Sequence, residues 1–128
     1  KMKIQNLCTK SRINENDIKL LSVDELNVCK HVIEENLRVV EAAKYLRKNK
    51  AKEFGKLMTE SHVSLSQYYG VSTDNLNKLV DLSNSFGALG SKLTGAGFGG
   101  AIVTLVKKEL VEELKKYILA GYPDAKFI

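Results

Sequence analysis

Between Lys92 and Val106 the chain reads KLTGAGFGGAIVTLV, with four glycines in the six positions 95–100. So little side chain cannot prolong a helix or a strand cheaply, because glycine loses the most backbone freedom on ordering. The flanks sharpen the constraint. Upstream, ALGSKLT alternates at Leu89, Ser91 and Leu93, the period of a strand. Downstream, AIVTLV is β-branched and apolar on both faces, as in a buried strand. Two strands joined by a short glycine-rich link form an antiparallel hairpin.

From Ser22 to the hairpin the chain has helical period. Ser22 and Glu25 have capping-box spacing, and Leu26, Cys29, Ile33, Leu37, Val40 and Ala43 follow at steps of three and four, one stripe of a long helix ending near Lys48. A second helix runs from Lys50 to Tyr68, with Phe54, Met58, Ser61, Leu65 and Tyr68 as its stripe and Gly70 as its stop. Ser72 or Asp74 caps a third, which turns Leu76, Leu79, Val80 and Phe86 inward. A fourth, after the hairpin, carries Leu110, Val111, Leu114, Tyr117 and Ile118 and ends at Gly121 and Pro123. AKFI at 125–128 can begin a last strand. The expected fold class is α+β, helices packed on a small antiparallel sheet, in a single domain over residues 1–128. The opening KMKIQNLCTKSR has no helix start signal and reads as a cut into something larger; IKLL at 18–21 fits a short helical turn.

Composition removes several function classes. No apolar run reaches the about 18 residues of a membrane span. Cys8 and Cys29 form no CxxC pair, and His31 lies far from His62, which argues against zinc or a disulfide framework and for a reducing cytoplasm. The formal charge is +5, but lysines are spread along the chain. RKNKAK at 47–52 is the densest basic stretch and has the look of a helix connection. A nucleic-acid face needs a basic stripe with interleaved aromatics.

The glycines fit some phosphate loops and not others. A Walker loop needs Gly-Lys-Ser/Thr at its end, but Ala101 and Ile102 follow Gly100. Gly95, Gly97 and Gly100 spell GxGxxG, yet a strand follows where the dinucleotide fingerprint opens a helix. A protein-kinase glycine loop joins two strands, but its catalytic loop and DFG triplet are missing. A glycine-rich link between strands can gather amides into an anion-holding nest. It can equally be a tight turn, or a site of close backbone approach. Spacing alone leaves these open.

The surroundings add a resemblance. SKLTGAGFGGAIVTLV resembles the third conserved motif of the GHMP kinases, and its phenylalanine points to the galactokinase branch. HVIEENLRVVEAAKYL (31–46) looks like the galactokinase helix His-Val-x-x-Glu-x-x-Arg-Val. FGKLMTESHVSL (54–65), YGVS (69–72) and LNKLVDL (76–82) continue in order. Ala101 stands where galactokinases commonly have Cys, and YGVSTDN lacks the Cys-Pro-Glu often found after Val-Ser. The resemblance implies a GHMP kinase C-terminal, ferredoxin-like domain. It implies ATP and Mg2+ as cofactors and galactose phosphorylated at its anomeric hydroxyl. Sugar, metal and general base would be held by an N-terminal lobe absent from this chain, so the chain alone is expected to be inactive. Thr94, Gly95, Ala96, Gly97, Phe98, Gly99 and Gly100 would line the phosphate site, with no catalytic residue and no metal ligand here. Alternatives are an N-acetylgalactosamine kinase, a catalytically silent sensor derived from galactokinase, and, from another class, a basic α+β nucleic-acid-binding module.

Other candidates read as structural. His62 lies at the edge of a core stripe and is expected to bond a neighbouring carbonyl. Ser61 is expected to bond back to its own helix. Glu34 and Arg38 read as a surface pair, and Glu112, Glu113, Lys115 and Lys116 as a solvated face. Lys92 can reach a phosphate or lie in solvent. Tyr68 and Tyr69 belong at the core edge. A face left uncovered by the absent lobe implies self-association.

Overall fold

The computed structural model describes residues 14–128. The opening twelve residues and Cys8 lie outside the described residues. A short helix α1 (Glu15–Leu20) includes most of IKLL and precedes the long helix α2 (Val23–Arg47). The capping box closes as expected: Ser22 Oγ accepts from Glu25 N, and the Glu25 carboxylate accepts from Ser22 N at 2.9 Å. Helix α3 (Ala51–Ser64) passes without a break into a π-helical turn, Leu65–Tyr69, and Gly70 stops it at φ +71°. Helix α4 (Asp74–Phe86) starts at Thr73, whose Oγ1 accepts from Leu76 N. Neither Ser72 nor Asp74 is the cap. Asp74 is already the first helical residue, and Ser72 Oγ donates to Asn77 Oδ1 at 2.7 Å.

Strands β1 (Gly90–Thr94) and β2 (Ala101–Leu105) pair antiparallel, with Leu93 opposite Ile102 and Thr94 opposite Ala101. A 3-10 turn (Lys108–Leu110) leads into α5 (Val111–Gly121), which buries Leu114 and Ile118. Helices on a small antiparallel sheet are the α+β class expected. Among the described residues the sheet has two strands; Ala125–Ile128 is not a strand. Nor is β2 buried on both faces. Val103 in its middle is exposed. No helix among the described residues is long and apolar enough to cross a membrane.

The core gathers Val71, Leu76 and Leu93, with Leu65 and Ile102 against them. Small polar residues complete the contact of α4 with the sheet. Ser83 and Ser91 are fully buried, and Ser91 Oγ bonds Thr104 Oγ1 across the strands at 2.8 Å. In α2 the predicted stripe holds at Cys29 and Ile33 but not farther on, where Leu37 and Val40 are exposed.

The main surprise is α3. Its buried positions are Gly55, Leu57, Ser61, His62 and Ser64, whereas Phe54 and Met58 are only half-buried. Gly55, Thr59 and His62, four and three apart, share one helical face. That face lies along the edge of β1. A Cβ on Gly55 would collide with the Leu89 backbone, and one on Gly90 with the Gly55 backbone. Farther along, Ser91 N donates to Thr59 Oγ1 at 3.3 Å and Leu93 N to His62 Nδ1 at 3.2 Å. The helix thus takes the place of a neighbouring strand and covers an edge that would otherwise expose unpaired amides.

Replacement of either glycine tests this contact. Gly55→Ala or Gly90→Ala is expected to lower unfolding stability by about 2–3 kcal/mol, read from urea midpoints, since backbone on both sides resists the added methyl. Alanine is the better helix former at position 55, so a gain in stability there would refute the packing account.

Candidate functional site

The loop at 95–100 closes the β1–β2 hairpin. Gly95, Gly97, Gly99 and Gly100 all have positive φ, from +84° to +127°, which side-chain-bearing residues rarely adopt. Phe98 also has positive φ, +58°, at an expected cost of about 1–2 kcal/mol, and the residue is 76% exposed. Only one of these loop glycines meets backbone. A Cβ at Gly97 would strike the Val71 carbonyl, whereas nothing stands within 4 Å of that position at Gly95, Gly99 or Gly100. Phe98 N donates to Val71 O at 2.7 Å. The loop is therefore pinned at its middle and open on either side of the pin.

Val71 is reached through the turn that ends the π-helical segment, where Val71 N donates to Leu65 O. The same turn leads into Thr73 and the start of α4. Gly99, Gly100, Thr73 and Asn75 line one groove of about 970 Å³, with Lys115 and Lys126 farther along it. Loop backbone in the left-handed region beside a helix N-terminus favours an anion. Among the described residues no group of three His, Cys, Asp or Glu side chains could hold a metal ion.

Behind the hairpin a second polar cluster forms. Ser61 Oγ donates to Glu35 Oε1 at 2.6 Å, and Lys92 Nζ donates to Ser61 Oγ at 2.6 Å. Lys92 also lies 3.5 Å from Glu35, and Arg38 pairs with both Glu34 and Glu35. Ser61 thus bonds across to α2 instead of back to its own helix. The Arg38 side chain is only 12% exposed, so its pair with Glu34 is not a free surface pair. Lys92 turns toward α2 and α3 and is partly exposed. Burial would raise the Glu35 pKa, but the Ser61 hydrogen bond and the Lys92 and Arg38 charges outweigh it and hold the carboxyl below its ordinary value.

Both histidines are buried. His62 Nδ1 accepts from Leu93 N, so its proton sits on Nε2, which donates to Asn77 Oδ1 at 3.0 Å. The expected carbonyl partner is a side-chain amide, and the bond to the Leu93 amide is an addition that the apolar stripe did not signal. His31 Nδ1 bonds Ser64 Oγ at 2.9 Å, and its ring meets that of Tyr69 with centroids 4.9 Å apart. Tyr68 lies under the Lys30 ammonium, 4.1 Å from the ring centroid. Burial lowers the pKa of both histidines.

Comparison with known proteins identifies the family and the fold. The family described as GHMP kinases C terminal matches residues 42–124. A galactokinase of Clostridium acetobutylicum is 44% identical over 101 residues, 78% of this chain and 26% of that protein. A galactokinase of Clostridium tetani is 40% identical over 123 residues, 94% of this chain and 31% of that protein. The chain thus spans between a quarter and a third of the length of these relatives. The crystal structure of Lactococcus lactis galactokinase complexed with galactose superposes with a TM-score of 0.80 at 27% identity, covering 96% of this chain and 30% of that one. Mevalonate kinase of L. major in complex with R-mevalonate shares the fold at a TM-score of 0.70 and 24% identity, over 99% of this chain and 37% of its own.

The buried groups predict how the fold responds to acid. The histidines titrate below 6.5 when folded, so the unfolded chain takes up protons first and stability falls as pH drops through the interval beneath 6.5. Glu35 adds a second loss below 4.5, completed as pH falls through its lowered folded value. Urea midpoints should be level above 6.5 and decline in both intervals. A midpoint unchanged between 6.5 and 4.5 contradicts the buried neutral histidines.

Proposed function

The chain belongs to the GHMP kinase family, as its C-terminal domain, and from that premise we propose that it forms one wall of the phosphate site of a cytoplasmic galactokinase. The reaction is transfer of the terminal phosphoryl group of ATP to the anomeric hydroxyl of galactose, with Mg2+. The observation that carries this reading is the placement of Gly99 and Gly100 in one groove with the first turn of α4. Catalysis of phosphoryl transfer is mainly positioning and charge stabilisation, work suited to fixed amides and a helix N-terminus. Thr94, Gly95, Ala96, Gly97, Phe98, Gly99 and Gly100 line the phosphates. Phe98 N is already committed to Val71 O, so the phosphate oxygens meet the loop on either side of it.

No residue of this chain acts as general base or metal ligand in this scheme, and none reads the sugar. Those groups belong to the part of a galactokinase that the chain does not span. The exposed apolar side chains of α2, Leu37, Val39, Val40 and Leu46, fit a surface that another part of the enzyme covers.

Titration with magnesium-ATP, followed by backbone amide NMR, tests the site. Shifts are expected at Gly95, Gly99, Gly100 and Thr73–Asn75, with no sugar-dependent ATP hydrolysis by the chain alone. Hydrolysis by the chain alone contradicts the division of labour. Absence of shifts, both alone and after addition of the N-terminal lobe of a galactokinase relative, overturns the phosphate reading. The uncovered α2 face predicts concentration-dependent self-association of the free chain, and a monomer at every concentration in sedimentation equilibrium would speak against that assignment.

A further inference from the structure

We infer that His62 is the positioning residue for the 95–100 loop: it holds the strand that leads into the loop and, through Asn77 and Ser72, the backbone on which the loop rests. The loop has two fixed points outside the hairpin ladder. One is Leu93, two residues before Gly95, whose N–H donates to His62 Nδ1 at 3.2 Å. The other is Phe98, whose N–H donates to Val71 O at 2.7 Å. The imidazole reaches toward both. Its Nε2 donates to Asn77 Oδ1 at 3.0 Å, and the same oxygen accepts from Ser72 Oγ at 2.7 Å, next in sequence to Val71. One ring thereby joins α3, β1, α4 and the turn before α4.

The role needs a neutral histidine. Its two nitrogens act as acceptor and donor on one rigid ring, and its charged form has no acceptor for the Leu93 amide. His62 is 5% exposed, and the charged side chains that bear on it are Lys92 from β1 and Asp81 from α4. Burial and Lys92 favour the neutral form, against Asn77 and Asp81. A ring with no polar atoms fills the same space and holds neither fixed point.

The functional meaning of this clamp rests on the proposed phosphate site, but its test needs no nucleotide, so the two fail separately. Amide hydrogen exchange is measured on the chain and on His62→Phe and His62→Asn. In His62→Phe, exchange at Leu93 and Phe98 should quicken roughly tenfold, as for loss of a net hydrogen bond, with α2 amides unchanged. Asparagine keeps an acceptor near Nδ1, so His62→Asn should restore protection at Leu93 and not at Phe98. Unchanged Leu93 and Phe98 amides in His62→Phe overturn the proposal, as does uniform acceleration of all amides, the mark of a merely structural role. Should His62→Phe not fold, ring nitrogen NMR of the unaltered chain decides. A proton on Nε2 supports the clamp, and a neutral ring protonated on Nδ1 refutes it.

Discussion

Everything near the loop depends on how closely α3 approaches β1. Gly55 and Gly90 meet with no side chain between them, helix backbone against strand backbone. That contact sets the distance at which Thr59 and His62 reach the outward amides of Ser91 and Leu93. Were the helix a methyl group farther away, both bonds would lengthen beyond use, and each buried amide left unpaired costs about 1–3 kcal/mol. The edge of β1 would then be an open edge. The glycine pair is thus a spacing device. It stabilises indirectly, by permitting hydrogen bonds that lie four and seven residues along the helix.

The same device explains what could be read from the chain and what could not. Where burial is apolar, the pattern is legible: Cys29 and Ile33 on α2, Leu76 and Val80 on α4, Leu114 and Ile118 on α5. Turn chemistry is legible too, in the Ser22 capping box, the Gly70 stop and the hairpin itself. The face of α3 is not, because it is built from Gly, Thr and His, which no hydrophobic stripe marks. The stripe through Phe54 and Met58 is rotated by one residue from the face that meets β1. One signal was available: a glycine inside a helical pattern, which costs about 1 kcal/mol against alanine and so asks for a packing reason. The α4 cap is ambiguous by one position in the sequence, because Ser72, Thr73 and Asp74 can all cap. Only the geometry of Leu76 N selects Thr73.

Polar residues on the covered side of the sheet were the least legible. Ser61, Lys92 and Glu35 come from α3, β1 and α2, and no local spacing links them. A lysine in an alternating strand promises solvent. Here it finds a carboxylate and a hydroxyl, because α2 and α3 pass over that face. Such a cluster adds little net stability, since desolvation offsets much of the attraction. It does fix which way Lys92 points, and so keeps that cation away from the loop.

The glycines of the loop serve two purposes that need each other. Gly97 lets the loop backbone touch Val71, and Phe98 N closes the contact. Gly95, Gly99 and Gly100 have open space where a side chain would stand, so their need is the backbone angle alone. A loop free at every point would sample many arrangements of its amides, and ordering them on a ligand would cost about 1–2 kcal/mol per residue. Pinning at position 98, with the leading strand held at Leu93, settles much of that ordering during folding. Tight turn and phosphate nest are therefore not rival readings of the same glycines. The turn is anchored by one of them, and the anchoring is what would make amides shaped by the others worth presenting to an anion.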